Sequence, residues 1–368
     1  MPHNIQILSE GRECFVENSL KERAWHGLGT TFDRPLTMKE ALEGCHANWE
    51  VEKRDLFFPS AELGKVLMSN EKMTAQEFMR LFSKVGNVKT TVRTDLEQSL
   101  GVVSDKYGIV QNVEAFDFID TLTGGKFGDK TPTIECAGVL GNGERIFVTA
   151  KLNEQIALAN NANDLVEMYF VFTTSHDGSG AVNCMITPIR VVCQNTLNLA
   201  FSKNSGKLSF RHTVNVCKRL DLTNKESAER AFKCMKLYDV YKTEFEASLD
   251  AMAKIQLNDK QVESILVNSL LTPEVQKIYA LNGGNILHED IPTRSQNIIA
   301  NVTEAIHSGV GQRELASGTG LWLTNGVTTY FQNNFDWGGD DARKFNAIMD
   351  GSVSKKLNNL YANLQKVA

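Results

Sequence analysis

Thr133-Ile134-Glu135-Cys136-Ala137-Gly138-Val139, then Leu140-Gly141-Asn142-Gly143-Glu144, then Arg145-Ile146-Phe147-Val148-Thr149-Ala150 is the stretch that decides the fold class. Two runs rich in β-branched and aromatic residues flank a Gly-Asn-Gly segment, whose backbone freedom at positive φ suits a tight turn between antiparallel strands. A second pair follows, Met168–Thr174 and Ala181–Thr187, joined across Asp177-Gly178-Ser179-Gly180. Upstream, Trp49–Lys53, Thr90–Arg93 and Ser99–Val103 have the same texture. Three helices interrupt these strands. Thr37–Cys45 and Thr74–Val85 each open with a threonine three residues ahead of a glutamate, the spacing of a capping box, and Val113–Leu122 sets Phe116, Ile119 and Leu122 on one face. Strands linked by hairpins and irregularly interleaved with helices predict an α+β sheet rather than a doubly wound parallel one.

Beyond Leu220 the period changes from two to three or four. Thr223–Lys254 reads as one long helix with Ala231, Cys234, Met235, Tyr238, Tyr241 and Phe245 on a stripe, and Lys260–Leu270, Ser295–Ser308, Gly326–Asn333 and Asp341–Gln365 continue the pattern, the last with a break at Gly351. Residues 1–217 are therefore expected to form a sheet domain and 218–368 a mainly helical one. A chain of 368 residues with 42% apolar and 23% charged content has the composition of globular protein and the length for two such regions. Its seven cysteines stand singly, an odd number suited to a reducing compartment. With no basic, apolar leader and no run of eighteen apolar residues, the expectation is a cytoplasmic protein of a bacterial host cell, with no membrane partner.

Charge is distributed unevenly. The chain carries 44 acidic residues and a net charge of −5, yet positions 178–220 contain none of the acids and six fixed cations: Arg190, Lys203, Lys207, Arg211, Lys218 and Arg219. Such a gap makes a local positive field that fits a polyanion, and His212 and several Asn, Gln and Ser side chains in it are of the kind that bond phosphate and sugar oxygens. The competing reading is a buried strand and helix from which burial excludes acids. Trp25-His26-Gly27-Leu28-Gly29-Thr30 offers an aromatic platform and an imidazole, for stacking a base or for a tight turn that packs its tryptophan inward.

Catalytic signatures are weak. Ser175-His176-Asp177 places three triad residue types side by side, where successive side chains diverge, so a turn in which His176 and Asp177 bond the local backbone is the reading preferred over a hydrolase. Neither the seven histidines nor the cysteines have metal-ligand spacing, so no metal or other cofactor is expected.

In order along the chain, Trp25-His26-Gly27-Leu28-Gly29, Trp49-Glu50-Val51-Glu52-Lys53-Arg54, Gly101-Val102-Val103-Ser104-Asp105-Lys106-Tyr107 and Val110-Gln111-Asn112 form a recognisable pattern. It continues through Ser175-His176-Asp177-Gly178-Ser179, Thr187–Asn198, Arg211-His212-Thr213 and Gly318-Thr319-Gly320. The pattern resembles the phage/plasmid-like protein family catalogued as domain of unknown function 932. That resemblance, with an element order similar to that of single-strand annealing recombinases, implies a homo-oligomer that binds and anneals single-stranded DNA in a basic groove. Arg190, Lys203, Lys207, Arg211, Lys218 and Arg219 would then neutralise phosphates, with His212, Trp25 and His26 at sugar or base. Two further classes stand beside it. One is an enzyme for a nucleotide or phosphorylated ligand, whose pocket would gather His26, His176, Asp177 and Arg190. The other is an interaction protein countering a host defence, with an exposed apolar patch on its helical half.

Overall fold

A computed structural model describes residues 5–18, 27–69, 73–124, 128–158, 161–190, 195–196, 207–212, 224–339, 343–344, 347–348 and 351–367. The strands are β1 (Phe15–Asn18), β2 (Thr30–Phe32), β3 (Val51–Pro59), β4 (Phe82–Arg93), β5 (Gln98–Ser104), β6 (Thr133–Leu140), β7 (Arg145–Leu158), β8 (Asn161–Ser175), β9 (Val182–Arg190), β10 (Asn195–Thr196) and β11 (Lys207–Phe210). They make two sheets. An antiparallel meander β6-β7-β8-β9 is extended by β1 and β2 beyond β6, and by β10 and β11 along the outer edge of β9. The smaller sheet is β3-β4-β5. Gly141 and Gly143, at φ +70 and +111, form the turn the sequence predicts between β6 and β7.

The helices are α1 (Met38–Gly44), α2 (Leu63–Ser69), α3 (Ala75–Arg80), α4 (Asn112–Thr123), α5 (Asn224–Lys254), α6 (Asp259–Leu270), α7 (Pro273–Leu281), α8 (Thr293–Ser308), α9 (Gly320–Thr329) and α10 (Ser352–Gln365). The architecture is α+β, a sheet-rich N-terminal region followed by a helical C-terminal one, as the periodicity predicts. Alternate residues of β8 and β9, Val166, Met168, Phe170 and Phe172 with Cys184 and Ile186, join Phe116, Ile119 and Leu122 of α4 and Tyr238 and Phe245 of α5 in one hydrophobic core. Tyr238 stands edge-on to Phe170 at 6.5 Å, and its hydroxyl donates to Glu154 on β7. At the centre of the helical region α9 is buried along its whole length.

Several boundaries move. The capping box at Thr74 and Glu77 is formed, but the helix it starts stops at Arg80 and the chain enters β4 at Phe82. Val85, Val88, Thr90, Thr91 and Val92 are β-branched, and cross-strand pairing with β3 outweighs the helix start. Helix α9 begins at Gly320 rather than Gly326, because the Thr319 hydroxyl accepts from the Trp322 amide and caps it there. The C-terminal helix proper begins after Gly351. Helix α7, with Thr272 at its N-cap and Pro273 in its first turn, carries an ordinary start signal that periodicity alone passes over.

Candidate functional site

Arg93 ends β4 with a fully buried side chain. A buried guanidinium needs partners for its donors, and four of the five have them: Nε and Nη2 donate to the Asp95 carboxylate at 2.8 Å, and Nη1 donates to Gln6 Oε1 at 2.7 Å and the Asn142 carbonyl at 3.0 Å. Its flat face lies 4.3 Å from the centre of the Trp49 ring. The tryptophan also meets His176 in an edge-type contact at 5.4 Å. His176 is 1% exposed, and its Nε2 lies 2.8 Å from Asn112 Oδ1. Because the Asn112 amide nitrogen donates to the Ala47 and Trp49 carbonyls, its oxygen faces the imidazole, and His176 Nε2 carries the proton. Burial pushes the His176 pKa down to about 3, with the neighbouring His212 adding to the effect, so the ring is neutral.

The same junction extends to His212. Its ring stacks on Tyr107 at 4.7 Å and 15°, Nδ1 faces the Gly108 carbonyl at 3.1 Å, and Thr174 Oγ1 lies 3.4 Å from Nε2. Burial lowers this imidazole's pKa as well. Tyr107 donates its hydroxyl to the Ser175 carbonyl at 2.8 Å. Two glycines allow the sheets to meet. A Cβ on Gly101 of β5 would stand 2.6 Å from the Cα of Asp177, and one on Gly143 would stand 2.9 Å from Arg93 Nη1.

These contacts correct the reading of Ser175-His176-Asp177 in one respect and support it in another. Asp177 bonds the local backbone as expected, its Oδ1 accepting from the Ser179 amide and hydroxyl, and Ser175 is tied to Gly180. His176 instead reaches across to Asn112, since adjacent strand residues point to opposite faces. Ser175 is bonded to Gly180 and His176 to Asn112, so these three residues do not form a hydrolytic triad. The arrangement locks the small sheet, the Asp177 turn and the start of α4 together. Arg93 went unnoticed in the sequence reading; its signal was an arginine two residues from an aspartate beside a strand end, which marks many surface turns.

A family model for a domain of unknown function, DUF932, matches residues 99–346. The chain belongs to the DUF932 family. No curated protein and no solved structure matches it. Most of the DUF932 signature read from the sequence lies inside the match. Gly101, Tyr107, Asn112, His176 and His212 from it converge on the junction, with Trp49 contributed from upstream.

The acid-free stretch has a different setting in this DUF932 chain. Arg190 ends β9, and Lys207 opens β11, where it sits opposite Met185. Arg211 follows β11 and is exposed, with no carboxylate of the described residues in ion-pair range. All three follow the outer edge of β9, spread over roughly 30 Å of strand. His212 is buried at the end of this edge and does not face solvent. Trp25, His26, Lys203, Lys218 and Arg219 lie outside the described residues.

His176 and Asp177 flank one end of β9 and Arg190 the other, about 27 Å away at strand spacing, so they do not share a cleft. Among the described residues no group of three or more His, Cys, Asp and Glu is placed to hold a metal ion, and no helix is long and apolar enough to cross a membrane. An open groove of about 650 Å³ between α6, α7 and α10 is lined by Asn268, Gln276, Asn359 and Asn363. Its amides are largely engaged with neighbouring backbone and hydroxyl groups.

Proposed function

We propose that this DUF932 protein is a phage- or plasmid-type accessory factor that binds single-stranded DNA along the outer edge of β9 and works as a homo-oligomer, holding strands for annealing. One observation carries the reading: the 43 positions from 178 to 220 hold six cations and no acid, and their described parts run along a single sheet edge. Elsewhere several cations are matched by carboxylates, as in Lys151 with Glu167, Lys242 with Glu154, and Arg54 with Glu52 and Glu97. Cations supplied along an edge with no acid in the same stretch of sequence suit the phosphates of a bound strand. In this reading Arg190, Lys203, Lys207, Arg211, Lys218 and Arg219 serve the phosphates, and Trp25 and His26 serve sugar or base. His212 acts indirectly, fixing the backbone at Arg211 through its stack on Tyr107. Annealing requires no covalent step.

Titration of a labelled single-stranded oligonucleotide at several salt concentrations tests the reading. Binding whose logarithm falls linearly with the logarithm of salt, by about 0.7 per phosphate neutralised, is the expected result. Binding that is absent at low salt, or indifferent to salt, overturns it.

A further inference from the structure

Strands β3 and β4 run past the end of β5 as a two-stranded arm, Asp55–Lys84, that carries α2 and α3 at its tip. Five exposed large apolar side chains lie on it. Phe57 is 47% exposed, Phe58 53%, Phe78 42%, Met79 57% and Met68 88%. The register puts Phe57 and Phe58 on opposite faces of the ribbon, so both faces are apolar, and Phe78 packs on Phe82 at 5.2 Å to extend one of them. Helix α3 buries no residue. Leu81, the arm's buried leucine, stands apart from the main hydrophobic core. A two-stranded ribbon is marginal by itself in water.

We propose that this arm docks on a second copy of the chain. Charge argues for a protein partner and against a polyanion or an anionic membrane. Residues 55–84 hold four acids (Asp55, Glu62, Glu71, Glu77) and four bases (Lys65, Lys72, Arg80, Lys84), a net charge of zero. At the base of the arm Lys84 and Lys89 are both held by Asp55, and Arg54 by Glu52 and Glu97. On the arm an acid stands three residues before a base twice, Glu62 before Lys65 and Glu77 before Arg80. Two copies related by a two-fold axis set such pairs against each other with signs matched.

Area argues for a stable contact. Covered on both faces of the ribbon, five large apolar side chains about half exposed bury roughly 500 Å² of apolar surface per arm. Since apolar atoms make up about 60% of an interface, that corresponds to roughly 800 Å² per partner, the size of an ordinary specific interface. The proposal names the surface for the assembly half of the proposed function and does not depend on the nucleic-acid half.

Sedimentation of the full chain at about 10 μM, beside two variants, tests it. One variant replaces Phe57, Phe58 and Phe78 with serine; the other carries Met68→Lys and Met79→Lys. All five side chains are exposed, so far-UV circular dichroism of both variants is expected to match the wild type. The expected result is a wild-type mass at least twice that of one chain, reduced to a single chain in both variants. Wild type at single-chain mass up to about 100 μM overturns the proposal, as do variants that keep the assembled mass. Variants that lose oligonucleotide or vesicle binding while keeping the assembled mass also overturn it, and would assign the arm to those ligands. Oligonucleotide binding by single-chain variants would leave the arm's role standing and separate it from the nucleic-acid reading.

Discussion

The junction around Arg93 and the edge of β9 use polar residues in opposite ways. At the junction four of the five donors of a buried guanidinium are met within the chain, two imidazoles are kept neutral, and glycines let two sheets touch. Along the edge of β9 the sequence supplies cations and no acid over positions 178–220, and Arg211 is exposed there. A polar cluster that closes on itself is spent on the fold, whereas one left open is available to a ligand. Signature residues in this DUF932 chain therefore divide into those that assemble the scaffold and those, like Arg211, exposed at the sheet edge.

The sharpest way to break that distinction is to remove Arg93. Arg93→Met leaves Asp95, Gln6 and the Asn142 carbonyl without their donor, and chemical denaturation should show a loss of about 3 kcal/mol. A loss under about 1 kcal/mol would mean that the junction is not a structural lock. Next comes pH. An unfolded histidine takes up its proton near pH 6.5, but His176 in the folded chain resists until about 3, so stability is full above pH 6.5 and falls as pH drops toward 3. One such group contributes a slope of about 1.4 kcal/mol per pH unit. His212 and His46, also shifted down, add to it in the same direction. Comparing wild type with His176→Gln between pH 6.5 and 4.5 isolates the His176 share, and an unchanged slope would refute its burial as a neutral base.

Gly101→Ala should cost about 1 to 2 kcal/mol, because its methyl would press on the Asp177 backbone, while Gly86→Ala, with open space around it, should be near neutral. Equal effects at the two positions would show that the close approach of β5 to the turn is not used. The smallest change in stability belongs to the edge. Lys207→Ala and Arg211→Ala should leave the unfolding midpoint unchanged, weaken oligonucleotide binding several-fold and each lower the salt slope by about 0.7. If they unfold the protein instead, edge and junction are one structural unit and the contrast fails.

What could be read directly from the residues was whatever is encoded within a few positions. Gly141-Asn142-Gly143 announces its hairpin, Thr37 and Glu40 cap their helix, the stripe from Met235 to Phe245 gives α5, and the acid gap needs no coordinates to be counted. Where two local signals competed, as at Thr74–Val85, the helix cap was legible but its reach was not, because pairing with β3 decides it.

Tertiary structure alone decided that Arg93 would lie under Trp49, that His176 would turn to Asn112 rather than to Asp177, and that β1 would join β6 more than a hundred residues away. It also decided that exposed apolar side chains would gather on the β3–β4 arm, with Leu281, Leu287 and Val310 exposed on the helical half as well. The reason is physical. Turn and cap preferences are energies of neighbouring dihedrals and carry their meaning wherever they occur, whereas a buried contact between distant residues exists only once packing has closed the chain around it.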